Sequence, residues 1–353
     1  MTEPFWPGRR VLVTGHTGFK GAWLCLWLER LGAEVAGFAL PPAEPGNLWS
    51  RLRSSTHSTF GDLRDPGAVR ETVRAARPQV VLHLAAQALV RESYREPVGT
   101  FATNVLGTAH LLEACRELED LRAVVVVTSD KVYANDGAGR AFEEHDRLGG
   151  HDPYSASKAC AELVTASYRA SFFAEGPPIA TARAGNVIGG GDRSPDRLIP
   201  DCVRALEAGE PVRLRYPRAV RPWQHVLDPL AGYLQLAQAL SSEPANAPRS
   251  VNFGPDPDSF RTAAEVVDAF GAHFGARPGW RAEGTPQPAE AATLRLSSAL
   301  ARAALGWRPR LDFEAAIAWT AEWHRAIAAG EDADAVTRAQ IDRYARVIDG
   351  GIG

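Results

Sequence analysis

Short, fully apolar runs alternate along the chain with longer segments whose apolar residues recur every three or four positions. The clearest apolar runs are residues 11–13, 35–38, 80–84 and 124–127. Strands that are buried on both faces of a parallel sheet have such continuous apolar sequences, whereas the recurring pattern is typical of helices that pack on the sheet. The alternation therefore predicts an α/β fold, in which a doubly wound parallel sheet is covered by helices on both faces.

The pattern changes after residue 186. A glycine run at 189–191 leads into an arginine-rich stretch, and an apolar helix at 227–240 and a strand at 251–253 then resume the earlier style. The chain is long enough for two lobes. We expect the sheet domain to comprise residues 1–185 and 222–254, and a smaller, C-terminal substrate-binding lobe to comprise residues 186–221 and 255–353.

A glycine-rich loop, Thr-Gly-His-Thr-Gly-Phe-Lys-Gly at residues 14–21, follows the first apolar run and opens a helix. Its glycines permit a tight turn, a close approach of the backbone to a pyrophosphate, and close packing of the helix, whose N-terminus then faces the phosphates. The first lobe is thus predicted to be a Rossmann domain that binds a dinucleotide. The predicted contacts in this loop are Gly15, His16, Thr17, Gly18, Phe19, Lys20 and Gly21.

One usual element of a dinucleotide site is missing. The acidic residue that follows about 20 residues later and binds the adenosine ribose should lie at residues 38–40, which contain none. His16 and Lys20 are candidates to attract phosphate charge instead, with a solvated lysine as the alternative, so the choice between NAD and NADP stays open. His83 is expected to be a core histidine. Further cofactor contacts are predicted for Asp62, Leu63, Leu84, Ala85 and Ala86.

Tyr154 and Lys158 form a second candidate site. If Tyr154 opens a helix, Lys158 lies one turn further on the same face. A free phenol has a pKa of roughly 10, and a nearby cation favours the phenolate, which can then act as a general base in alcohol oxidation. The alternative is a chance spacing on an amphipathic helix, with the tyrosine packed and the lysine solvated.

These motifs occur in a characteristic order. The glycine loop is followed by Leu-Ala-Ala at 84–86, Asn104, Thr-Ser-Asp-Lys at 128–131 and Tyr-Ser-Ala-Ser-Lys at 154–158. With them the chain resembles the extended short-chain dehydrogenase/reductases from end to end, and longer motifs over about residues 8–254 narrow the resemblance to the CDP-glucose 4,6-dehydratases of that family. The resemblance implies NAD as cofactor and implies that Asn104, Tyr154 and Lys158 also contact it.

The resemblance further implies an internal redox cycle on a nucleotide sugar. The C4 alcohol is oxidised, water is lost across C5 and C6, and the hydride returns to C6. Tyr154 would take the proton of the C4 hydroxyl, with Ser129, or Thr128 beside it, hydrogen-bonded to the same oxygen. Lys158 would hold the nicotinamide ribose.

Asp130 and Lys131 match the acid and the base that the loss of water requires. Similar dehydratases that act on dTDP-glucose carry Asp-Glu here, whereas epimerases of the same fold have small or apolar residues. Asp130 must be protonated to act as the acid and Lys131 neutral to act as the base, and a dry pocket raises the pKa of a carboxyl group. The alternative is a surface Asp–Lys pair, which contributes little.

Substrate contacts are also implied by the resemblance. Asn186 is similar to the residue that contacts the diphosphate, and Arg221 to the arginine that clamps it, since a guanidinium can bind phosphate through two hydrogen bonds. Arg197 is a further candidate, with a surface salt bridge as its alternative. Gln87 and Glu290 complete the predicted substrate-binding set.

Two other functions remain open from the sequence. A sugar-nucleotide 4-epimerase would use the same scaffold, although Asp130 argues against it. A protein that binds a dinucleotide without turnover is the second alternative, and the Tyr154–Lys158 pair argues against that one.

Composition limits the partners and the compartment. The 353 residues carry a net charge of −3, which gives no general attraction to nucleic acid or to anionic membranes. The four cysteines form no C-x-x-C motif and no histidine lies at ligand spacing, so we expect neither disulfides nor a metal site. The N-terminus reads as a strand rather than a signal peptide, and charges interrupt the apolar window at 21–40. We therefore expect a cytoplasmic enzyme, which by analogy is a homodimer that associates through helices near 105–115 and 154–173.

Overall fold

The structure is a computed structural model that describes residues 4–42, 46–275, 279–284 and 293–350. The strands, numbered in chain order, are β1 Arg10–Thr14, β2 Glu34–Ala39, β3 His57–Phe60, β4 Val80–His83, β5 Ala123–Val127, β6 Ile179–Ala184, β7 Val187–Ile188, β8 Val212–Leu214, β9 Val220–Pro222, β10 Gln224–His225, β11 Ser250–Phe253, β12 Phe260–Thr262 and β13 Trp280–Ala282. The helices are α1 Phe19–Arg30, α2 Pro66–Ala76, α3 Val90–Arg95, α4 Pro97–Phe101, α5 Gly107–Cys115, α6 Pro153–Phe172, α7 Leu198–Ala208, α8 Leu227–Ser242, α9 Ala263–Ala272, α10 Ala299–Leu305, α11 Phe313–Ala328 and α12 Ala333–Asp349.

Within the described residues, seven strands form one parallel sheet in the order β11–β6–β5–β4–β1–β2–β3. This arrangement confirms the predicted α/β class. The chain leaves β1 toward β2 on one side and later returns to pair β4 on the other side. In such sheets ligands bind at the carboxyl ends of the strands, where the strand order reverses.

The valines of β5 show why a continuous apolar run forms a strand here. Val125 and Val127 belong to the core that contains α1 and α8, whereas Val124 and Val126 belong to the core that contains α2 and α5. Successive side chains of a strand point to opposite faces. Both faces of the sheet are therefore covered by helices, as the sequence pattern predicts.

A separate, smaller core lies outside the sheet. It contains Val212 and Leu214 of β8, Val266 and Phe270 of α9, and Ile317 of α11. These elements come from the two segments that the sequence analysis assigned to the smaller lobe.

The C-terminal helices contribute to both cores. Trp319 of α11 and Tyr344 of α12 lie in the core of the sheet domain. Tyr344 donates a 2.6 Å hydrogen bond to Asp228 of α8, and the backbone N–H of Arg310 donates to the same carboxyl oxygen at 2.7 Å. The predicted division into lobes stays a prediction, and the structure shows that residues after 255 also support the sheet domain.

Among the helices of the described residues, none combines the length and the apolar composition that a bilayer crossing requires.

Candidate active site

Two adjacent cavities open at the carboxyl ends of the strands in the described part of the chain. The first, the glycine-loop cavity, is lined among others by Gly15, Gly18, Leu63, Ala85 and Lys158. The second, the arginine cavity, is lined among others by Asp130, Lys131, Asn186, Arg215 and Arg221. Residues that line both cavities include Ser129, Tyr154, Gly185, Val187 and Arg197. The cavities therefore meet at Tyr154.

The glycine loop has the shape that a dinucleotide requires. Gly15 has φ +76°, and a Cβ placed on it would lie 2.7 Å from the backbone N of Ala85. A Cβ on Gly21 would lie 2.1 Å from the carbonyl oxygen of Gly15. Side chains are thus excluded where the loop packs between β4 and α1, and the N-terminus of α1 faces the cavity. The residues present fit a pyrophosphate at this position.

Thr17, Phe19 and Lys20 line the glycine-loop cavity as predicted for the loop, but His16 does not. The His16 ring is fully buried, contacts Trp49 edge to face, and lies within hydrogen-bond distance of the Ser58 hydroxyl at 3.1 Å. Burial lowers the pKa of His16 to about 4. Its imidazole is therefore neutral at pH 7 and turned away from the cavity, so the predicted attraction of phosphate by its charge is corrected.

The far end of this cavity is formed by the ends of β2 and β3. Asp62 and Leu63 line it, as do Leu84, Ala85 and Ala86 at the end of β4. The Asp62 carboxylate accepts hydrogen bonds from the Arg64 guanidinium, the shortest at 2.5 Å, and this contact lowers the pKa of Asp62. His83 is bound by the hydroxyls of Thr14 and Thr108 inside the core, which agrees with its expected structural role.

Asn104 lies next to the glycine-loop cavity but does not line it. Its amide accepts from the backbone N–H of Gln87 at 2.8 Å and donates to the Gln87 carbonyl at 3.0 Å and to the Ser157 hydroxyl at 2.8 Å. Asn104 therefore ties the loop after β4 to α6, between Tyr154 and Lys158. These hydrogen bonds hold the loop and the helix in place, and the predicted contact of Asn104 with the cofactor stays a prediction.

Gln87 makes hydrogen bonds within its own loop. Its side-chain amide donates to the Leu89 carbonyl at 3.1 Å and to the Thr100 hydroxyl at 2.8 Å. These local hydrogen bonds hold the side chain in the loop after β4, and it lines neither cavity. The contact of Gln87 with substrate stays a prediction.

Tyr154 and Lys158 lie on the first turns of α6. The helix begins after Asp152, whose carboxylate accepts from the backbone N–H of Ser155 at 2.9 Å, and Pro153 occupies the first helical position. The backbone N–H of Tyr154 donates to the Ser93 hydroxyl at 3.1 Å, and the Lys158 ammonium donates to the Val127 carbonyl at 3.1 Å. Both side chains reach the glycine-loop cavity, as predicted.

Burial controls the protonation of this pair. It raises the pKa of Tyr154, with hydrogen bonding to Ser129 acting in the opposite direction. It lowers the pKa of Lys158 to about 8, and the charge of Glu162 opposes that shift. Burial therefore dominates in the protein by itself, and the effect of the neighbouring cation on Tyr154 stays a prediction.

The structure distinguishes between the two hydroxyls that were candidates beside Tyr154. The Thr128 hydroxyl donates a 2.5 Å hydrogen bond to Glu162, which is buried behind the end of the sheet. Ser129 faces Tyr154 and lines both cavities. Thr128 also lines the glycine-loop cavity, but its hydroxyl is bound to Glu162, whereas Ser129 lies where the two cavities meet. The choice between the two hydroxyls stays a prediction, and the geometry favours Ser129.

Glu162 and Arg183 form a buried ion pair that the sequence analysis missed. Their side chains are each 3% exposed, and the closest nitrogen–oxygen distance is 2.8 Å. Arg183 also donates to the Tyr133 hydroxyl at 2.8 Å. The spacing of four residues from Tyr154 to Lys158 and again to Glu162 is the signal that would have placed Glu162 on the same face of α6.

Asp130 lies in a single helical turn directly after β5. Its side chain is buried, and its Oδ1 accepts from the Ser129 hydroxyl at 3.1 Å. Its Oδ2 has no hydrogen-bond partner among the described residues. Burial raises the pKa of Asp130, opposed first by the charge of Lys131. Such a carboxyl favours the protonated form that an acid needs.

Lys131 and the predicted substrate residues line the arginine cavity. Asn186 and Arg197 lie on its wall, and Arg221 of β9 is 5% exposed with its charge acting on Asp130. Arg221 also donates to the Val220 carbonyl at 2.9 Å. Glu290 lies outside the described residues. The cavity thus combines positive side chains with the buried carboxyl groups of Asp130 and Asp192, of which Asp130 is bound to Ser129.

Comparisons with known proteins agree with this geometry. The family model of the NAD dependent epimerase/dehydratase family matches residues 11–254. A CDP-glucose 4,6-dehydratase from Salmonella typhimurium is 43% identical over 352 residues, which cover 98% of each chain. A dTDP-glucose 4,6-dehydratase from Xanthomonas campestris is 29% identical, over 89% of this chain and 92% of the relative.

Solved structures of related enzymes have the same fold. The complex of MoeE5 with UDP-glucose and NAD superimposes with a TM-score of 0.77 at 26% identity, over 90% of this chain and 99% of the other. The UDP-glucose 4-epimerase of Thermus thermophilus, in complex with NAD, gives a TM-score of 0.77 at 29% identity, over 89% of this chain and 98% of the other. From the fold, the cavities and these matches, the chain belongs to the NAD-dependent epimerase/dehydratase family.

Proposed function

We propose that this protein is a CDP-glucose 4,6-dehydratase that converts CDP-glucose into CDP-4-keto-6-deoxyglucose. The observation that carries the proposal is the position of Asp130: a buried carboxyl group with one oxygen unpartnered among the described residues, beside Ser129 at the junction of the two cavities. An oxidation site with an adjacent acid suits the loss of water better than epimerisation. The relative that is 43% identical over 98% of this chain bears the name of this activity.

The glycine-loop cavity is the proposed site of NAD. Gly15, Gly18 and the N-terminus of α1 suit the pyrophosphate, and Asp62 and Leu63 lie at the opposite end from Lys158 along the strand ends. When bound, NAD accepts a hydride from C4 of the sugar and returns it to C6. Oxidation and reduction thus balance within one turnover.

Tyr154 is the proposed general base for the first half of the reaction. Its phenol lines both cavities and can take the proton of the C4 hydroxyl as the C4–H bond breaks. Ser129 provides a hydroxyl at the same place. Lys158, held by the Val127 carbonyl, supplies a fixed positive charge that stabilises the phenolate as it forms.

Asp130 and Lys131 are the proposed acid and base for the loss of water. The new C4 ketone acidifies the C5 proton, which Lys131 takes in its neutral form. Asp130 gives its proton to the departing C6 hydroxyl, so that water leaves and a C5–C6 double bond forms. Both residues line the arginine cavity beside Tyr154.

The arginine cavity is the proposed site of the nucleotide diphosphate. Arg221 is buried at its wall and Arg197 lines both cavities. A guanidinium can bind phosphate oxygens in pairs, which fixes the sugar relative to Tyr154. Asn186 lies on the same wall. The sequence-predicted roles of these residues are retained here as part of the proposal.

The test is to incubate the purified protein with CDP-glucose and with UDP-, dTDP- and GDP-hexoses, and to weigh the products. The proposal expects a product lighter by one water from CDP-glucose. Products of unchanged mass with an inverted C4 centre would instead identify a 4-epimerase. A protein that binds NAD but converts none of these sugars would match the non-catalytic alternative.

We further propose that the protein is a homodimer. Large apolar side chains are exposed on helices α4 and α6 and on the helical turn that precedes α5: Val98, Leu106 and Leu163 are 80%, 55% and 59% exposed. Exposed apolar side chains on elements that pack against one another are typical of an interface. Light scattering should give twice the chain mass of 38.0 kDa.

Two substitutions, made together, test whether this surface forms the dimer interface. Leu106→Glu combined with Leu163→Glu should halve the measured mass, because two charges would be buried in the interface. Val347→Glu, at an exposed apolar residue of α12, is the matched control and should leave the mass unchanged. A wild-type protein with the mass of one chain would refute the dimer.

A cytoplasmic location is also part of the proposal. Cys25, Cys115, Cys160 and Cys202 are all free. Burial raises the pKa of Cys25 and of Cys115 to about 12, so these thiols are inert. Free thiols suit a reducing compartment. Fractionation of cells that produce the protein would test this location.

A further inference from the structure

Lys20 has an unusual environment for a lysine. It is the second residue of α1, where the backbone N–H groups already make the helix end positive. Its ammonium has one hydrogen-bond partner among the described residues, the Tyr233 hydroxyl at 3.4 Å. A lysine can donate three hydrogen bonds. The side chain therefore points into the glycine-loop cavity with most of its hydrogen-bonding capacity unused within the described chain.

The charges around Lys20 are mostly of the same sign. Arg197 and Lys158 both disfavour its positive form, and Asp130 favours it. Burial and these two cations lower the pKa of Lys20 to about 7. Lys20 is therefore a cation that can lose its charge near neutral pH.

The position of Lys20 relates it to the chemistry at Tyr154. Tyr154 marks the junction of the two cavities, and hydride transfer must take place beside the base that deprotonates the alcohol. Arg197 also lines both cavities at this junction. Since Lys158, Arg197 and Asp130 are all close enough to act on Lys20, Lys20 lies at the reacting end of the glycine-loop cavity.

We propose that the Lys20 ammonium raises the hydride affinity of the bound nicotinamide. An oxidised nicotinamide ring carries a positive charge and a reduced ring carries none, so a nearby cation repels the oxidised form only. The inference rests on the proposed function in one respect, that a nicotinamide cofactor occupies this cavity. It differs from the sequence prediction that Lys20 attracts phosphate, because the phosphates carry the same charge in both redox states.

The test compares the reduction potential of bound cofactor in the wild type, Lys20→Met and Lys20→Arg. Each protein is loaded with NAD and equilibrated with a redox dye of known potential, and the reduced fraction is read from the absorbance of NADH. Lys20→Met should lower the ratio of reduced to oxidised cofactor about tenfold, which is about 30 mV for a two-electron couple. At about pH 6, where Lys20 is charged, Lys20→Arg keeps the charge and should keep the wild-type potential.

The dependence on pH provides an independent test. The groups that face Lys20 are Tyr233 on α8, Lys158 on α6, Asp130 after β5 and Arg197 before α7. Without the cofactor, burial lowers the pKa of Lys20 to about 7, and a bound pyrophosphate raises it from there. In the wild type the extra hydride affinity should be present below the pKa of Lys20 in the loaded protein and disappear as the pH rises through it. Arginine does not lose its proton, so Lys20→Arg should retain the affinity at every pH.

Two results would overturn the inference. An unchanged potential in Lys20→Met, together with weaker retention of both redox forms, would show that Lys20 attracts phosphate. A wild-type potential in Lys20→Gln would exclude Lys20 in the same way if Lys20→Met did not fold. The measurement uses no sugar, so a negative result does not bear on the proposed dehydration. In the same way, the absence of turnover with CDP-glucose would not change the measured potential.

Discussion

Two clusters of buried polar groups lie at the carboxyl end of β5, and they differ in how completely their hydrogen bonds are made. The first cluster contains Thr128 and Glu162, and both carboxylate oxygens of Glu162 accept hydrogen bonds. One accepts from Thr128 at 2.5 Å and from Arg183 at 2.8 Å. The other accepts from Thr181 at 2.7 Å and from Arg183 at 2.8 Å.

Ser129 leads into the second cluster, whose hydrogen bonds are incomplete within the described residues. The Oδ2 of Asp130 has no partner, and Lys20 has a single long hydrogen bond. A buried polar group without a partner is costly, and such groups in native proteins occur at functional sites. The comparison indicates that the saturated cluster holds β5, β6 and α6 together, whereas the unsaturated cluster lies where the proposed chemistry needs free donors and acceptors.

The largest expected effect is that of Asp130→Asn. The amide cannot give a proton to the departing hydroxyl, so the loss of water should slow about 10²–10³-fold. Oxidation at C4 does not use Asp130, and bound NADH should therefore accumulate when CDP-glucose is added. Stopped-flow absorbance follows the NADH, and mass spectrometry follows the product.

A matched control is Asp201→Asn. This carboxylate also lines the arginine cavity but pairs with Arg204 at 2.5 Å and has no proposed chemical role. Turnover in this variant should stay within a few-fold of the wild type. Product formation at the wild-type rate in Asp130→Asn would remove Asp130 from the mechanism and with it the contrast between the two clusters.

Glu162→Ala tests the saturated cluster. It leaves the Arg183 guanidinium buried without its carboxylate partner, which should lower the free energy of unfolding by about 3–5 kcal/mol. Urea denaturation measures the change. Glu113→Ala removes a 2.7 Å ion pair with Arg116 on the protein surface and should cost less than about 1 kcal/mol. Equal decreases in the free energy of unfolding in the two variants would show that the buried cluster does not stabilise the fold more than a surface ion pair does.

The sequence predicted the sheet and the glycine loop because local rules decide both. Residues 124–127 are apolar without interruption, and only a strand covered on both faces buries such a run. Gly15 and Gly21 lie where a Cβ would collide with the backbone. The positions of Tyr154 and Lys158 followed from the helical period in the same way.

The directions of side chains at the strand ends could not be read from the sequence. Thr128 and Ser129 are neighbours with the same functional group, and only the partner across the fold, Glu162, decides which one faces the core. Gln87 is bound by its own loop, and the His16 ring is packed on Trp49. These contacts join segments far apart in the sequence or depend on a loop conformation, so no local pattern indicates them.

Asp228 resembles Asp130 but lies away from both cavities, and its substitution gives the smallest expected effect on turnover. Its carboxyl is fully buried on α8, where Oδ1 accepts from Tyr344 and Oδ2 has no partner among the described residues. Burial raises the pKa of Asp228 from 3.8 to about 7. Because Asp228 lies outside both cavities, its substitution should change the stability of the fold and leave turnover unchanged.

The pH dependence of Asp228→Asn measures this difference. Because the folded-state pKa is raised, the contribution of Asp228 to stability is fully present below the ordinary pKa of 3.8 and is lost as the pH rises toward about 7. Asparagine mimics the protonated carboxyl at every pH. The variant should match the wild type near pH 4 and exceed its free energy of unfolding by about 4 kcal/mol at pH 8, since each unit of pKa shift corresponds to about 1.4 kcal/mol. A stability difference that does not vary with pH would contradict the raised pKa of Asp228. A loss of turnover would show that Asp228 acts in catalysis although it lies outside both cavities, so that position alone does not separate it from Asp130.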